Sequence, residues 1–240
     1  MVYSMPKYIQ TANIDNTELH FTWDDWKVSE LFTYDSTAIA EKLLKLEPRA
    51  QVAMGVGIYE WIAWRFRKVT DELLPYRLAE AAWLGVSDPF HMAYVELERR
   101  SWMGPVRGPL WCAVTWLVPM VFYKQKGEEE LESGLRYLPR LAMHVLPDPR
   151  PFEEWINFVS NRLLYLYEAK KDDPFDDLFE LNDHGGVVVP KEALDPDFEF
   201  SPDRSEKLFQ KYLQSTDPEK NPIINGPEQM VLMKEEYTLC

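Results

Sequence analysis

Apolar positions recur at helical spacing along most of this chain, and one stretch is apolar on every side. From Pro48 to Val69 the sequence reads PRAQVAMGVGIYEWIAWRFRKV, with Val52, Met54, Val56, Ile58, Trp61, Ile62 and Phe66 distributed around a helix of about 30 Å. A helix with no polar face is buried all round, so this segment is expected at the centre of the fold. Pro48 suits the first turn, where its missing N–H would be unpaired anyway. Gly55 and Gly57 each cost a helix about 1 kcal/mol relative to alanine, which a close approach by a neighbouring helix would explain.

The same periodicity predicts helices on either side. Ser36 is placed to cap TAIAEKLLKL (37–46), with Ile39, Leu43, Leu44 and Leu46 on one face. Further helices are expected from Pro75 to about Gly85, from the Asp88-Pro89 pair to about Trp102, and through the apolar run Pro109–Tyr123 after a turn at 104–109. Glu128–Leu146 opens on acidic residues that complement a helix dipole and should kink at Pro139. Phe152–Lys171 carries the stripe Phe152, Trp155, Ile156, Val159, Leu163, Leu166 and Tyr167. Shorter helices are expected from Ser201 to about Ser215 and from Pro227. Residues 1–35 read as irregular, with strand-like alternation at Leu19, Phe21 and Trp23 before a short helix over Asp24–Phe32. No internal repeat is evident. The expectation is an all-α fold: a single-domain antiparallel helical array, with a helical body over 1–171. Residues 172–240 form an irregular acidic arm and C-terminal helices packed on that body.

Charge sharpens the division at residue 172. The net charge is −14; residues 172–240 hold 17 acidic and 6 basic residues, against 23 and 20 before them. A near-neutral body carrying an acidic C-terminal third argues against nucleic-acid binding through a basic face. The 15-residue run Pro109–Tyr123 is shorter than the roughly 20 residues of a membrane span, and Pro119 interrupts it, so a buried helix is expected there and no membrane partner. Two cysteines, Cys112 and Cys240, make no disulfide framework, and MVYSMPKYIQ lacks the regions of a secretory signal; a cytoplasmic location is the expectation.

Candidate chemistry is sparse. The four histidines fall in four different elements, and Asp88 beside His91 reads as a helix cap rather than a ligand pair. Phosphate loops, dinucleotide fingerprints, nucleophile elbows and metal-binding motifs are absent, so no metal, cofactor or catalytic residue is expected. Glu60, Trp64 and Arg67 lie at i, i+4 and i+7, where they either line a pocket or form an ion pair shielded by Trp64. Glu96, Glu98, Arg99 and Arg100 read as a solvated helix face, and Asp183-His184-Gly185-Gly186 as a turn with Asp bonding locally, or as a titratable pair on an active-site loop. Asp172, Asp173, Asp176, Asp177, Glu180 and Asp183 put six carboxylates into twelve residues, interleaved with Phe175, Leu178 and Phe179. Such a strip suits solubility, or docking to a basic protein by charge complementarity.

Three stretches, AQVAMGVGIYEWIAWRF (50–66), GGVVVPKEALDPDFEF (185–200) and NPIINGPEQM (221–230), resemble bacterial immunity proteins, the acidic, cytosolic, largely helical products encoded beside polymorphic or secreted toxins. The resemblance implies a non-enzyme that neutralises a cognate toxin by binding and occluding its active site; no binding residue is carried over from it. A toxin acting on nucleic acid or nucleotides would present a basic site, which Asp172, Asp173, Asp176, Asp177 and Glu180 could occupy. Two other readings stand beside it: a small-molecule enzyme or binding protein with a pocket around Glu60, Trp64 and Arg67, and a scaffold or adaptor of a secretion or phage-related assembly.

Overall fold

The computed structural model describes residues 3–122, 129–169 and 186–238. The helices are α1 (Lys7–Gln10), α2 (Val28–Leu31), α3 (Thr37–Leu43), α4 (Pro48–Arg65), α5 (Leu74–Gly85), α6 (Gly104–Phe122), α7 (Glu129–Val145), α8 (Arg150–Tyr167), α9 (Ser205–Ser215) and α10 (Pro227–Thr238). The fold is all-α. Among the described residues β-pairing is confined to two isolated bridges, Leu46 with Glu168 and Met92 with Ile224. No helix of the described residues is long and apolar enough to cross a membrane.

The all-round apolar pattern of α4 has the expected consequence. Every residue from Ala50 to Arg65 is buried, and α5, α6, α7 and α8 pack around it. Both glycines mark close approaches. A Cβ at Gly55 would lie 2.7 Å from Met120 Cε of α6; one at Gly57 would overlap the Leu194 side chain and sit 3.1 Å from the Trp155 ring of α8. Met120 ends in a flexible thioether, whereas Leu194 is fully buried and Trp155 nearly so. Gly57→Ala should therefore cost about 2 kcal/mol, overpacking outweighing the gain in helix propensity of about 1 kcal/mol. Gly55→Ala should be close to neutral. Urea midpoints of the two variants check the contrast, and equal midpoints would refute it.

Arg65 is a charged side chain of α4 with no exposed surface. Its guanidinium donates to the carbonyls of Val145 (3.0 Å), Asn16 (2.7 Å) and Glu18 (2.5 Å), tying the end of α7 and the N-terminal segment to the central helix. Arg162 acts in the same way on α8. It donates to the carbonyls of Ala193 (3.2 Å), Asp195 (2.7 Å) and Phe198 (3.1 Å), and Trp155 Nε1 donates to Leu194 O at 3.0 Å. The irregular segment 186–200 is thereby fixed against the body through its carbonyls.

The structure departs from the sequence expectations in three places. Residues 88–102 do not form one helix; two short 3-10 turns, Pro89–His91 and Arg99–Ser101, flank an extended stretch. Asp88 does cap, accepting from Phe90 N at 3.0 Å. After it the backbone pairs with 223–225: Ala93 N donates to Ile223 O, and Asn225 N to His91 O. Val95 and Leu97 turn toward the core between exposed Tyr94, Glu96 and Glu98, a period of two read above as part of a helix. Next, α6 begins at Gly104, before Pro109 rather than after it. Asp25 accepts the Gly104 N–H through both carboxylate oxygens, at 3.0 and 3.2 Å, supplying a cap from a distant segment. Finally, the Ser36 hydroxyl does not cap α3. It donates to Arg136 O at 2.7 Å, while Asp35 Oδ1 accepts from Thr37 N.

Candidate functional site

Glu60, Trp64 and Arg67 do not converge. Helix α4 ends at Arg65, so the extrapolated i+7 position falls beyond it. Arg67 is exposed and lies over the Trp64 ring at 5.1 Å, and Trp64 packs on Tyr76. Glu60 instead accepts a hydrogen bond from the Tyr8 hydroxyl of α1. Burial raises its pKa to about 7, offset in part by Tyr8, by the Trp83 indole and by the charge of Lys191. Trp83 Nε1 faces the carboxylate without reaching hydrogen-bond geometry. Tyr8 stacks on Trp155 at 5.2 Å and contacts Trp61, so the carboxylate lies beneath an aromatic lid.

A second arrangement was not legible as such in the sequence. The Arg99 guanidinium lies between two indoles, 5.0 Å from Trp26 and 5.3 Å from Trp111, and donates to Asp25 O. Trp111 is oriented by Nε1 donating to Leu97 O at 2.9 Å, and Trp23 by Nε1 donating to Asp25 Oδ1 at 2.8 Å. Nearby, Arg107 covers Trp102 at 5.9 Å and pairs with Glu72. Trp26 is 75% exposed and Met103 is 38% exposed. The run read above as a solvated helix face is exposed as expected but lies on no α-helix: Glu96 and Glu98 are on the extended stretch, Arg99 and Arg100 in the 3-10 turn, and Arg99 is stacked on aromatic rings beside exposed Trp26. The available signal was the density of tryptophan around two clusters of charge, at 23–26 and 98–111.

A third feature is a groove beside α7. Two adjoining depressions of about 290 and 560 Å³ share Thr33, Tyr34 and Arg140. Arg136, Tyr137, Arg140, Met143 and His144 occupy one face of α7 and form its floor. His144 Nε2 lies 2.8 Å from Thr22 O, so that nitrogen carries the proton and donates, and its ring is packed among Phe21, Trp23 and Phe32. Neither depression includes Glu60, Trp64 or Arg67.

Asp172, Asp173, Asp176, Asp177, Glu180, Asp183 and His184 lie outside the described residues. Among the described residues no three His, Cys, Asp or Glu side chains are grouped to hold a metal ion. Cys112 is buried in α6, and burial pushes its thiol up to about 12, far from a reactive thiolate. No family model, curated protein or solved structure matches this chain, so the chemistry of these sites rests on their own geometry.

Proposed function

We propose that this chain acts by binding a protein, as an immunity protein that neutralises a cognate bacterial toxin by direct contact and occlusion of its active site. The observation that carries the binding reading is Trp26, an indole 75% exposed yet held by Arg99 in a defined orientation. Exposed tryptophan, arginine and methionine on one face are the composition of energetic centres in protein interfaces. A side chain already stacked before binding loses less entropy on forming a complex. The acidic run from Asp172 to Glu180 supports the same reading from the sequence, as a source of long-range attraction toward a basic partner. The toxin itself is inferred from the sequence resemblance alone.

The test is purification of the tagged chain from its own cells, followed by expression of any stoichiometric partner by itself. The partner should arrest growth, and co-expression of the chain should relieve the arrest. Trp26→Ala should weaken the complex by at least about 2 kcal/mol, about 30-fold, while leaving stability within about 0.5 kcal/mol because the ring is exposed. Reversal of Asp173, Asp176 and Asp177 to Lys should slow association and reduce its salt dependence. Recovery of no partner, or a Trp26→Ala chain with unchanged affinity and rescue, would overturn the assignment.

A further inference from the structure

We infer that the groove along α7 is a binding site for a small monocarboxylate with an apolar or aromatic body, anchored by Arg140. The inference does not depend on the protein-binding reading, which rests on Trp26 and Arg99, neither of them lining the groove.

Arg140 is held in place and left with bonding capacity to spare. Its Nη2 donates to Phe32 O at 2.6 Å, and its guanidinium carbon lies 5.9 Å from the Phe32 ring and 5.7 Å from the Tyr137 ring. Tyr137 is itself stacked on Trp116, with centroids 5.0 Å apart and planes 12° off parallel. Ring contacts thus fix the guanidinium plane, while Nε is buried with no partner. Among the described residues Arg140 makes no ion pair, and its Nη1 makes no hydrogen bond. Arg140 lines both depressions, and with Nε buried the donors left for a ligand are Nη1 and the second N–H of Nη2, which share one edge. A guanidinium edge of this kind matches the two oxygens of a carboxylate.

The neighbouring charges select a monoanion. Arg136 is neutralised by Glu132 through bonds of 2.8 and 2.7 Å along α7. Asp35 also lines the groove; its carboxyl is held below the usual range by the Thr37 hydroxyl and backbone N–H, with the charge of Arg140 contributing. Glu30, paired with Lys27 at 3.8 Å, lines the larger depression as well, so Arg140 faces carboxylates on both sides; the groove can take one added negative charge through direct contact with Arg140, and a phosphate dianion is disfavoured. Phe21, Leu31, Tyr34 and Met143 supply apolar wall in the larger depression, whose volume falls in the range of small-ligand sites. Thr33 and Tyr34, which line both depressions, bring neutral hydroxyls to the groove.

The experiment is calorimetric titration of the full chain with benzoate, and separately with benzamide and inorganic phosphate. Benzoate should bind saturably, and both benzamide and phosphate at least about tenfold more weakly, since each lacks either the charge or the fit. Arg140→Gln should abolish benzoate binding, and Arg136→Gln should leave it within about twofold. Arg140→Gln also removes the bond to Phe32 O, so Thr33→Trp, at an exposed position shared by both depressions, tests the groove with Arg140 intact. That variant should also lose benzoate binding while keeping the thermal midpoint of the parent. No saturable binding of benzoate, equal binding of benzamide, or undiminished binding to both variants would overturn the assignment.

Discussion

Arg65→Met should lower the free energy of unfolding by about 4 kcal/mol, the largest loss expected from any substitution of one residue considered above. The methionine would fill most of the volume, so the loss reports bonding rather than a cavity. Arg65 has no exposed surface, and its three carbonyl partners come from α7 and from two residues of the N-terminal segment. With the guanidinium gone, the carbonyls of Val145, Asn16 and Glu18 lose their donor together, at about 1–3 kcal/mol for each one left dry. Arg65→Lys should recover less than half of the loss, because one ammonium on a flexible stem cannot span three acceptors in a plane. Urea unfolding of the three chains at pH 7 measures this. A loss below about 1 kcal/mol for the methionine variant would show that water reaches these carbonyls.

Arg65 also illustrates where the sequence could be read and where it could not. The burial of α4 was legible because periodicity is a local property: apolar residues on all faces admit few environments other than the interior. Gly55 and Gly57 were legible for the same reason, as residues unfavourable to a helix unless something packs against them. An arginine at the end of that helix carries no such mark, since its partners are the backbone carbonyls of residues 16, 18 and 145, which accept its hydrogen bonds. The stretch 88–102 was misread because the pairing that keeps it extended lies at 223–225. Its cap at Asp88 and its charged end look helical in isolation. Pro109 misled in the opposite direction: Asp25 starts the helix five residues earlier from a part of the chain that spacing alone could not connect. The α7 groove is the least local feature, assembled from 20–22, 30–37 and 136–144. Each segment alone reads as loop or as amphipathic helix. Glu60 and Arg67 were placed on one helix face by spacing alone, but α4 ends at Arg65, so the register does not carry on to Arg67.

Glu60 leads to the second large effect, which depends on pH. Its carboxyl has a folded-state pKa of about 7 against 4.5 for the ordinary value, with burial as the main cause. The unfolded chain therefore releases this proton more readily than the folded one, so between those two pH values the folded state binds more protons and stability falls as pH rises. Below about 4.5 both states are protonated and Glu60 costs nothing; above 7 both are ionised and the full cost is present. A shift of this size corresponds to about 3 kcal/mol, with most of the change between pH 5 and 7. The groups that face the carboxylate are Tyr8 from α1, Trp83 from α5 and Lys191 from the segment after residue 186. The charge of Asp195 reaches Tyr8, and that of Glu60 reaches the Tyr59 and Tyr212 hydroxyls. Glu60→Gln keeps an acceptor for the Tyr8 hydroxyl and cannot ionise. Its stability should exceed the parent's by about 1 kcal/mol at pH 5 and by about 3 kcal/mol at pH 8. Taking the difference between the two chains cancels every other titrating group, so denaturant unfolding at pH 5, 6, 7 and 8 isolates Glu60. A difference that stays constant across this range would show that water or Lys191 stabilises the carboxylate far better than its burial implies. A difference that opens between pH 5 and 7 would make Glu60 a charge held at the centre of the fold by the two segments that close over it.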